Sequence, residues 1–331
     1  MIHPPSLRPG DTVAVISPAG PVIPDLLLQG VQTLESWGLK VRLHEATFAR
    51  HEPGGYLAGS DAARLKALRE VFWDPDVAAV ICSRGGYGAM RLLPDLLKAT
   101  HEHPSGAAEF ADFLRAHPKL LVGFSDITAL HLYIAGIVGV ATLHGPVVKS
   151  FGLHTDDPFA SLEHLRAALF GQREDTGQLR FDGLRCIRAG EARAPVFGGN
   201  LTLVSSLVGS PYCPDLNDRI LFLEDVGEQD YRLDRLFTTL RLAEKSARPA
   251  GIILGDFSGC GGVYIDDGRI DDFVGSLAAE FRCPVVADFP TGHRSRNVCV
   301  PVGCVATLDA AGGTVVFEAD AAAPHQPAPI A

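Results

Sequence analysis

Four short stretches of this chain carry side chains that could do chemistry. The first is Gly123-Phe124-Ser125-Asp126, which falls between an apolar run and a helix-like stretch. A serine on a tight strand-to-helix turn exposes its hydroxyl at the strand's carboxyl end. The helix start behind it offers free N–H groups and a positive dipole end. That is the logic of a nucleophile elbow, although the residues do not match G-x-S-x-G. The plainer reading is that Ser125 or Asp126 caps the helix. The second stretch, Ser83-Arg84-Gly85-Gly86-Tyr87-Gly88, also follows an apolar run. Its glycines would let backbone N–H groups approach a ligand, as an oxyanion hole requires. It is neither G-x-G-x-x-G nor a P-loop, and a simple Gly-rich turn is the alternative.

The third stretch is Leu223-Glu224-Asp225-Val226-Gly227-Glu228, at the end of a strand-like run. A carboxylate there can orient a histidine, or Asp225 or Glu228 can cap the next helix. The fourth is Thr291-Gly292-His293-Arg294-Ser295-Arg296-Asn297, a polar loop after Val285–Ala287. A loop histidine alone is most simply solvated. Together the four strand-end loops hold a serine, glycine amides, a carboxylate and a histidine, the parts list for acyl transfer. The order is Ser125, Glu224, His293; unrelated folds use several orders, so order is not diagnostic.

The elements that must position these residues can be read from periodicity. Thr12–Ser17, Val41–Leu43, Val77–Cys82 and Leu120–Val122 read as strands. Helical spacing covers Leu26–Trp37, a stretch opening at Ser60-Asp61 and stopped by Asp74-Pro75, Met90–Lys98, and Ile127–Tyr133. Apolar strands alternating with helices imply a parallel sheet covered on both faces, an α/β architecture. Phe151–Gly190 changes character, with one amphipathic helix at Ala160–Leu169 and then polar residues, and reads as a connection. From Ala194 a new unit begins, with strands at Ile220–Leu223, Gly251–Leu254 and Val285–Ala287. Leu233, Leu236, Phe237 and Leu240 give a helix face. The expected division is 1–150, a connecting segment 151–193, and 194–331, with Ala321–Ala331 frayed.

Composition narrows the function classes. The chain has 331 residues, 47% hydrophobic and 21% charged, with 29 basic and 39 acidic side chains and a net charge of −10. That balance argues against a nucleic-acid binder, which needs a basic face. It does not forbid an anionic ligand held by a local cation. The seven cysteines are scattered, with no C-x-x-C, and read as reduced thiols of a cytosolic protein. No signal-like segment opens the chain at Met1–Pro5, and no apolar run reaches the roughly 18 residues that span a bilayer. The expectation is a cytoplasmic protein with no membrane partner. No metal site is read: H-E-x-x-H is missing, and His101 and His103 flank a Glu with no evident third ligand. Asp266-Asp267 and Asp271-Asp272 read as an acidic turn and a helix start.

At these residues the chain resembles the LD-carboxypeptidase, or muramoyltetrapeptide carboxypeptidase, family of serine peptidases. The markers run from Gly10-Asp11-Thr12-Val13 through Ser17-Pro18-Ala19-Gly20, then Arg84–Gly88 and Gly123–Thr128. They continue at Gly198-Gly199-Asn200-Leu201, Leu223-Glu224-Asp225 with Tyr231 and Asp234-Arg235, and Gly292-His293 with Asn297, Pro301 and Gly303. Each is weak alone; six in order are specific. The resemblance implies a doubly wound N-terminal α/β domain and a C-terminal α/β domain with a β-rich, barrel-like core, the site lying at their junction. It implies Ser125 as nucleophile, His293 as base and then acid, and Glu224 as the carboxylate orienting His293. The N–H of Asp126 and one from Gly85 or Gly86 would form the oxyanion hole.

The implied reaction is hydrolysis of an L,D-amide in a murein tetrapeptide, releasing D-alanine during cell-wall recycling, without a cofactor and as a homodimer. The leaving residue ends in a carboxylate, so Arg84, Arg294 and Arg296 are candidate guanidinium partners; Tyr87 and Asn200 are further substrate-contact candidates. Two alternatives remain. One is a self-immunity hydrolase of the same family, which would stack an aromatic on a nucleobase; the only tryptophans, Trp37 and Trp73, lie in first-half helices. The other is a non-catalytic two-domain binding protein, which needs no Ser, Glu and His at three strand ends.

Overall fold

A computed structural model describes residues 1–51, 54–96, 110–151, 158–171, 179–294 and 296–318. Lys98, His101, His103 and the tail Ala321–Ala331 lie outside the described residues. Within them the chain builds two sheets. The first contains β1 (Thr12–Ile16), β2 (Lys40–Leu43), β3 (Val77–Cys82), β4 (Leu120–Gly123) and β5 (Thr142–His144), all parallel. The second contains β6 (Leu179–Phe181), β7 (Arg185–Arg188), β8 (Glu191–Asn200), β9 (Ile220–Glu224), β10 (Gly251–Leu254) and β11 (Val285–Ala287). Strand β12 (Val300–Val302) returns to the first sheet, antiparallel to β5, before β13 (Val305–Asp309) and β14 (Thr314–Phe317) close the second.

The first sheet runs β12-β5-β4-β3-β1-β2. The chain steps from β1 outward to β2, then crosses to β3 on the other side. That reversal opens a crevice at the carboxyl ends of β1 and β3, where ligands of doubly wound sheets bind. The second sheet runs β6-β14-β13-β8-β9-β10-β11-β7, with β8 to β11 parallel and the flanking strands antiparallel, and it curls as a half-barrel. The strands predicted from apolar runs, β1 to β4 and β9 to β11, are where the sequence places them. In β3, Val77, Val80 and Ile81 are 2% exposed or less, and all five residues of β9 are buried. Each fully buried Val, Ile or Leu contributes roughly 1.5–3 kcal/mol, so such strands form regardless of their short length. The helix Asp61–Trp73 is capped by Ser60, whose Oγ accepts from the Ala63 N–H at 3.2 Å, and ends at Asp74 as the Asp-Pro pair dictates.

The segment 151–193 departs from its reading as a plain connection. Beside the helix Pro158–Leu169 it contributes β6, β7 and the start of β8 to the second sheet. Likewise β12, within the C-terminal half, is the edge of the first sheet. Six of the seven cysteines are buried and Cys186 is exposed; none forms a disulfide. No helix is long and apolar enough to cross a membrane, and no group of three metal-ligating side chains gathers, among the described residues.

Candidate active site

Gly123 ends β4, and Phe124 leads directly into a 3-10 turn over Ser125–Ile127. Ser125 itself has φ +62°, a conformation rare outside glycine. Neither Ser125 nor Asp126 caps this helix; the capping position is Phe124, with no side-chain bond. The Asp126 carboxylate, 1% exposed, instead accepts the Ala89 N–H at 2.7 Å, tying the elbow to the loop after β3. Burial pushes its pKa up, against backbone bonds from Ala89 and Gly88. Below the elbow, buried His131 reaches the Gly123 carbonyl with Nε2 at 2.8 Å and meets the Thr142 hydroxyl with Nδ1 at 2.8 Å. The carbonyl accepts, so Nε2 carries the proton and Nδ1 accepts from Thr142. Strain at a functional residue persists only where its surroundings over-determine it, and these three attachments do so.

The Gly-rich loop after β3 lies against the serine. A Cβ on Gly85 would stand 3.1 Å from the Phe124 carbonyl oxygen. Gly86 has φ +118°. Among the described residues the N–H groups of Gly85 and Gly86 enter no backbone hydrogen bond, and Gly85 is in contact with Ser125.

The second sheet reaches the elbow through β8. The Asn200 N–H donates to Thr128 Oγ1 at 2.9 Å, three residues beyond Ser125. Gly199 permits this approach, since a Cβ there would sit 2.4 Å from the same oxygen. Asn200 pairs in register with Glu224 at the end of β9. Glu224 is fully buried, and its Oε2 accepts from His293 Nδ1 at 2.8 Å. Gly255, just past β10, makes room: a Cβ there would lie 2.6 Å from the Thr291 carbonyl oxygen and 3.2 Å from Glu224 Cβ. Gly292, at φ +138°, then turns the chain so that His293 follows. The His293 ring packs against Phe124, the residue before the serine, with centroids 5.0 Å apart.

This arrangement sets the histidine's chemistry. With Nδ1–H committed to a carboxylate, Nε2 is left as the proton acceptor. Burial pulls the His293 pKa down, but the Glu224 bond and charge, with Asp225 and Asp256, outweigh it and hold it above the ordinary value. Glu224 is raised by burial, against the pull of His293. The Ser125 hydroxyl has no hydrogen-bond partner among the described residues; nucleophile-base bonds are often long in unliganded enzymes.

The other sequence candidates fall into three groups. Asn200 is a cap: its Oδ1 accepts from Leu203 N at 3.2 Å and its Nδ2 donates to Asp225 Oδ1 at 2.8 Å. Asp225 also accepts from the Thr202 backbone and hydroxyl, so it serves the helix Leu201–Leu207 rather than the following one, whose cap position is Gln229. Arg294 lies 2.6 Å from Asp256 and is mostly exposed, and Arg296 is exposed beside it. Arg84 and Tyr87 stay beside the serine loop, Tyr87 exposed with its ring 5.9 Å from that of Tyr56. Phe124 and Thr128 lie within the motif around Ser125 but carry no role in the sequence reading, and Gly255 is outside it; its placement right after an apolar strand is the signal of a close approach.

The parallel strands of two mixed sheets bring these side chains together at their carboxyl ends, the arrangement of a two-sheet enzyme of the α/β class. Models of the LD-carboxypeptidase N-terminal and C-terminal domains match residues 13–145 and 193–308. The chain is 34% identical to a probable murein peptide carboxypeptidase of Bacillus subtilis, over 96% of this chain and 94% of that one. It is 31% identical to the murein tetrapeptide carboxypeptidase of Pseudomonas aeruginosa, over 90% and 92%. A solved structure of the microcin C7 self-immunity protein MccF, 22% identical, covers 96% of this chain and 98% of its own with a TM-score of 0.82, a likeness of fold. The chain belongs to the LD-carboxypeptidase family. It is thus an enzyme, a hydrolase of the carboxypeptidase type, and not a non-catalytic binding protein of similar shape.

Proposed function

We propose that this enzyme is a serine carboxypeptidase that cleaves the L,D-amide bond of murein tetrapeptides and releases their terminal D-alanine. The observation that carries the reading is the His293–Glu224 bond of 2.8 Å beside a serine held at positive φ. In the first step His293 Nε2 takes the Ser125 proton as Oγ attacks the carbonyl on the L side of the scissile amide. The tetrahedral oxyanion is met by the N–H of Asp126 and one from Gly85 or Gly86. His293 then protonates the leaving D-alanine nitrogen, giving the acyl-enzyme, and water activated by the same imidazole frees the tripeptide. Glu224 holds the imidazole in its tautomer and balances the imidazolium charge. General base action contributes about 10²–10⁴-fold, and an oxyanion donor about 10²–10³-fold. The murein names of the relatives at 34% and 31% identity support the substrate class. The reading includes action in the cytoplasm, which suits seven unbridged cysteines, and a homodimer, to be checked by sedimentation.

The test is incubation with tetrapeptide and pentapeptide muropeptides, reading product masses. Loss of one D-alanine from the tetrapeptide, absent in Ser125→Ala, is the expected result. An unchanged tetrapeptide with folded wild-type protein overturns the reading.

A further inference from the structure

Two cations near Ser125 have no counter-charge among the described residues. Arg84 follows Ser83 in the loop after β3, and Lys149 lies in the 3-10 turn Val148–Ser150 after β5. In the first sheet β4, which carries Ser125, lies between these two strands. The Lys149 N–H donates to the Ser83 carbonyl at 3.0 Å, so the turn after β5 folds back over β4 to the start of the Gly-rich loop. Both side chains are half-buried.

The Arg84 guanidinium spans the crevice at the reversal of strand order. Its Nη1 donates to the Pro21 carbonyl at 3.0 Å and its Nε to the Gly85 carbonyl at 3.1 Å. It rests on two glycines: a Cβ on Gly20 would sit 3.3 Å from Nε, and one on Gly86 would sit 3.3 Å from Nη2. These contacts aim the guanidinium, and among the described residues Nη2 has no acceptor. Among the described residues neither Arg84 nor Lys149 forms an ion pair. The chain has 39 acidic against 29 basic side chains, so a shortage of carboxylates does not explain it. Half-burying two neighbouring like charges is unfavourable unless an anion joins them. The Lys149 pKa is lowered, by burial first and by the Arg84 charge second.

We infer that Arg84 and Lys149 together bind the free carboxylate of the substrate's C-terminal residue, the group that makes the enzyme a carboxypeptidase. The inference rests on the proposed function for its substrate. The position suits it: residue 85, next to Arg84, is in contact with Ser125, so a carboxylate held here lies close to a bond at Oγ. Arg84 supplies Nη2 from a fixed plane, and Lys149 supplies a compact charge on a flexible stem.

The test compares a tetrapeptide bearing its free terminal carboxylate with the same peptide as its C-terminal carboxamide. For the acid, Lys149→Met is expected to raise KM by about 10- to 100-fold, the loss of one charge-assisted hydrogen bond, with kcat little changed. For the amide it should change neither constant, so the acid-over-amide preference collapses by the same factor, and Lys149→Arg restores much of it. Preference retained at the wild-type value in Lys149→Met overturns the inference. A second arm titrates both peptides into Ser125→Ala by calorimetry. Tighter binding of acid than amide, lost on adding Lys149→Met, supports the site even if the wild type turns over neither peptide, in which case the proposed function alone fails. Equal binding of acid and amide overturns the site whatever the turnover.

Discussion

The backbone of Gly85 approaches Ser125 so closely that a Cβ on residue 85 would stand 2.9 Å from the serine Cβ and 3.2 Å from its Oγ. The obstacle is not a flexible side-chain end, because the Phe124 carbonyl closes the same space. Gly85→Ala must therefore displace either the elbow or the loop of amide donors. It is expected to lower kcat by about 10²-fold or more, the effect of misplacing an oxyanion donor, while KM changes only a few-fold. Circular dichroism separates this from misfolding. Wild-type kcat in a folded Gly85→Ala protein would show that the loop lies outside the reaction.

The strain at Ser125 can be measured separately from its chemistry. Its φ of +62° is cheap for glycine and costs other residues on the order of 1 kcal/mol. Ser125→Ala and Ser125→Gly should both be inactive. Only the glycine variant escapes the steric cost, so it should be about 1 kcal/mol more stable than the alanine variant. Denaturant unfolding of the pair checks this; equal midpoints would mean that the elbow is not strained.

What the sequence made legible follows from how each element is stabilised. Val77–Cys82 and Ile220–Leu223 are buried on both faces, so their continuous apolar runs declare them. Strands β6 and β7 were missed. Arg185–Arg188 buries only alternate residues, and only partly, and four residues of alternation interrupted by arginine look like loop. Strand β12 was missed because Pro301 sits in it and its partner, β5, is far away in sequence. At the site, residue types at strand ends pointed to the serine, glutamate and histidine, and the fold bonds Glu224 to His293 and packs His293 on Phe124, the residue before Ser125. Asn200, Asp225 and Arg294 were ambiguous, because capping and ion pairing use the same side chains as substrate binding. Lys149 offered no local signal; its place near Arg84 comes through a backbone bond to Ser83, which only the fold creates.

Buried neutral histidines should make the enzyme acid-sensitive. Burial lowers the pKa of His131 to about 4 from 6.5, and that of His164 to about 4 as well, with Arg296 adding to the latter. His144 too is held well below its ordinary value, by burial and then by His131 and His293. A depressed folded-state pKa means that the unfolded chain takes up protons first. Stability is then full above 6.5 and is lost as pH falls toward 4, by on the order of 3 kcal/mol for a group like His131. His293, raised instead, contributes in the opposite sense. His144 has no hydrogen bond at either ring nitrogen and packs edge-on against Phe222, with centroids 5.0 Å apart. His144→Phe removes a titrating group without breaking a bond. Its stability at pH 7 should stay within about 1 kcal/mol of wild type, and its loss of stability between pH 6.5 and pH 4 should be smaller. An unchanged pH slope would remove His144 from the account.

The pH dependence of turnover tests the coupling of His293 to Glu224. His293 acts as a base only when neutral, and its pKa lies above 6.5 because the Glu224 bond and charge overcome burial. The acid limb of kcat/KM should therefore have its midpoint above 6.5, with activity falling as pH drops through it. Glu224→Gln keeps an acceptor for Nδ1–H but removes the charge. Burial then acts unopposed by that carboxylate, so the limb should move to lower pH. The same change should lower the plateau of kcat by up to about 10⁴-fold, because the imidazolium loses its counter-charge and the tautomer is no longer enforced. Both effects come from one carboxylate, so they must appear together in a kcat/KM profile from about pH 5 to pH 9. A lowered plateau with the limb unmoved would mean that Glu224 positions the ring without setting its charge, and that Asp225 and Asp256 hold the pKa up instead.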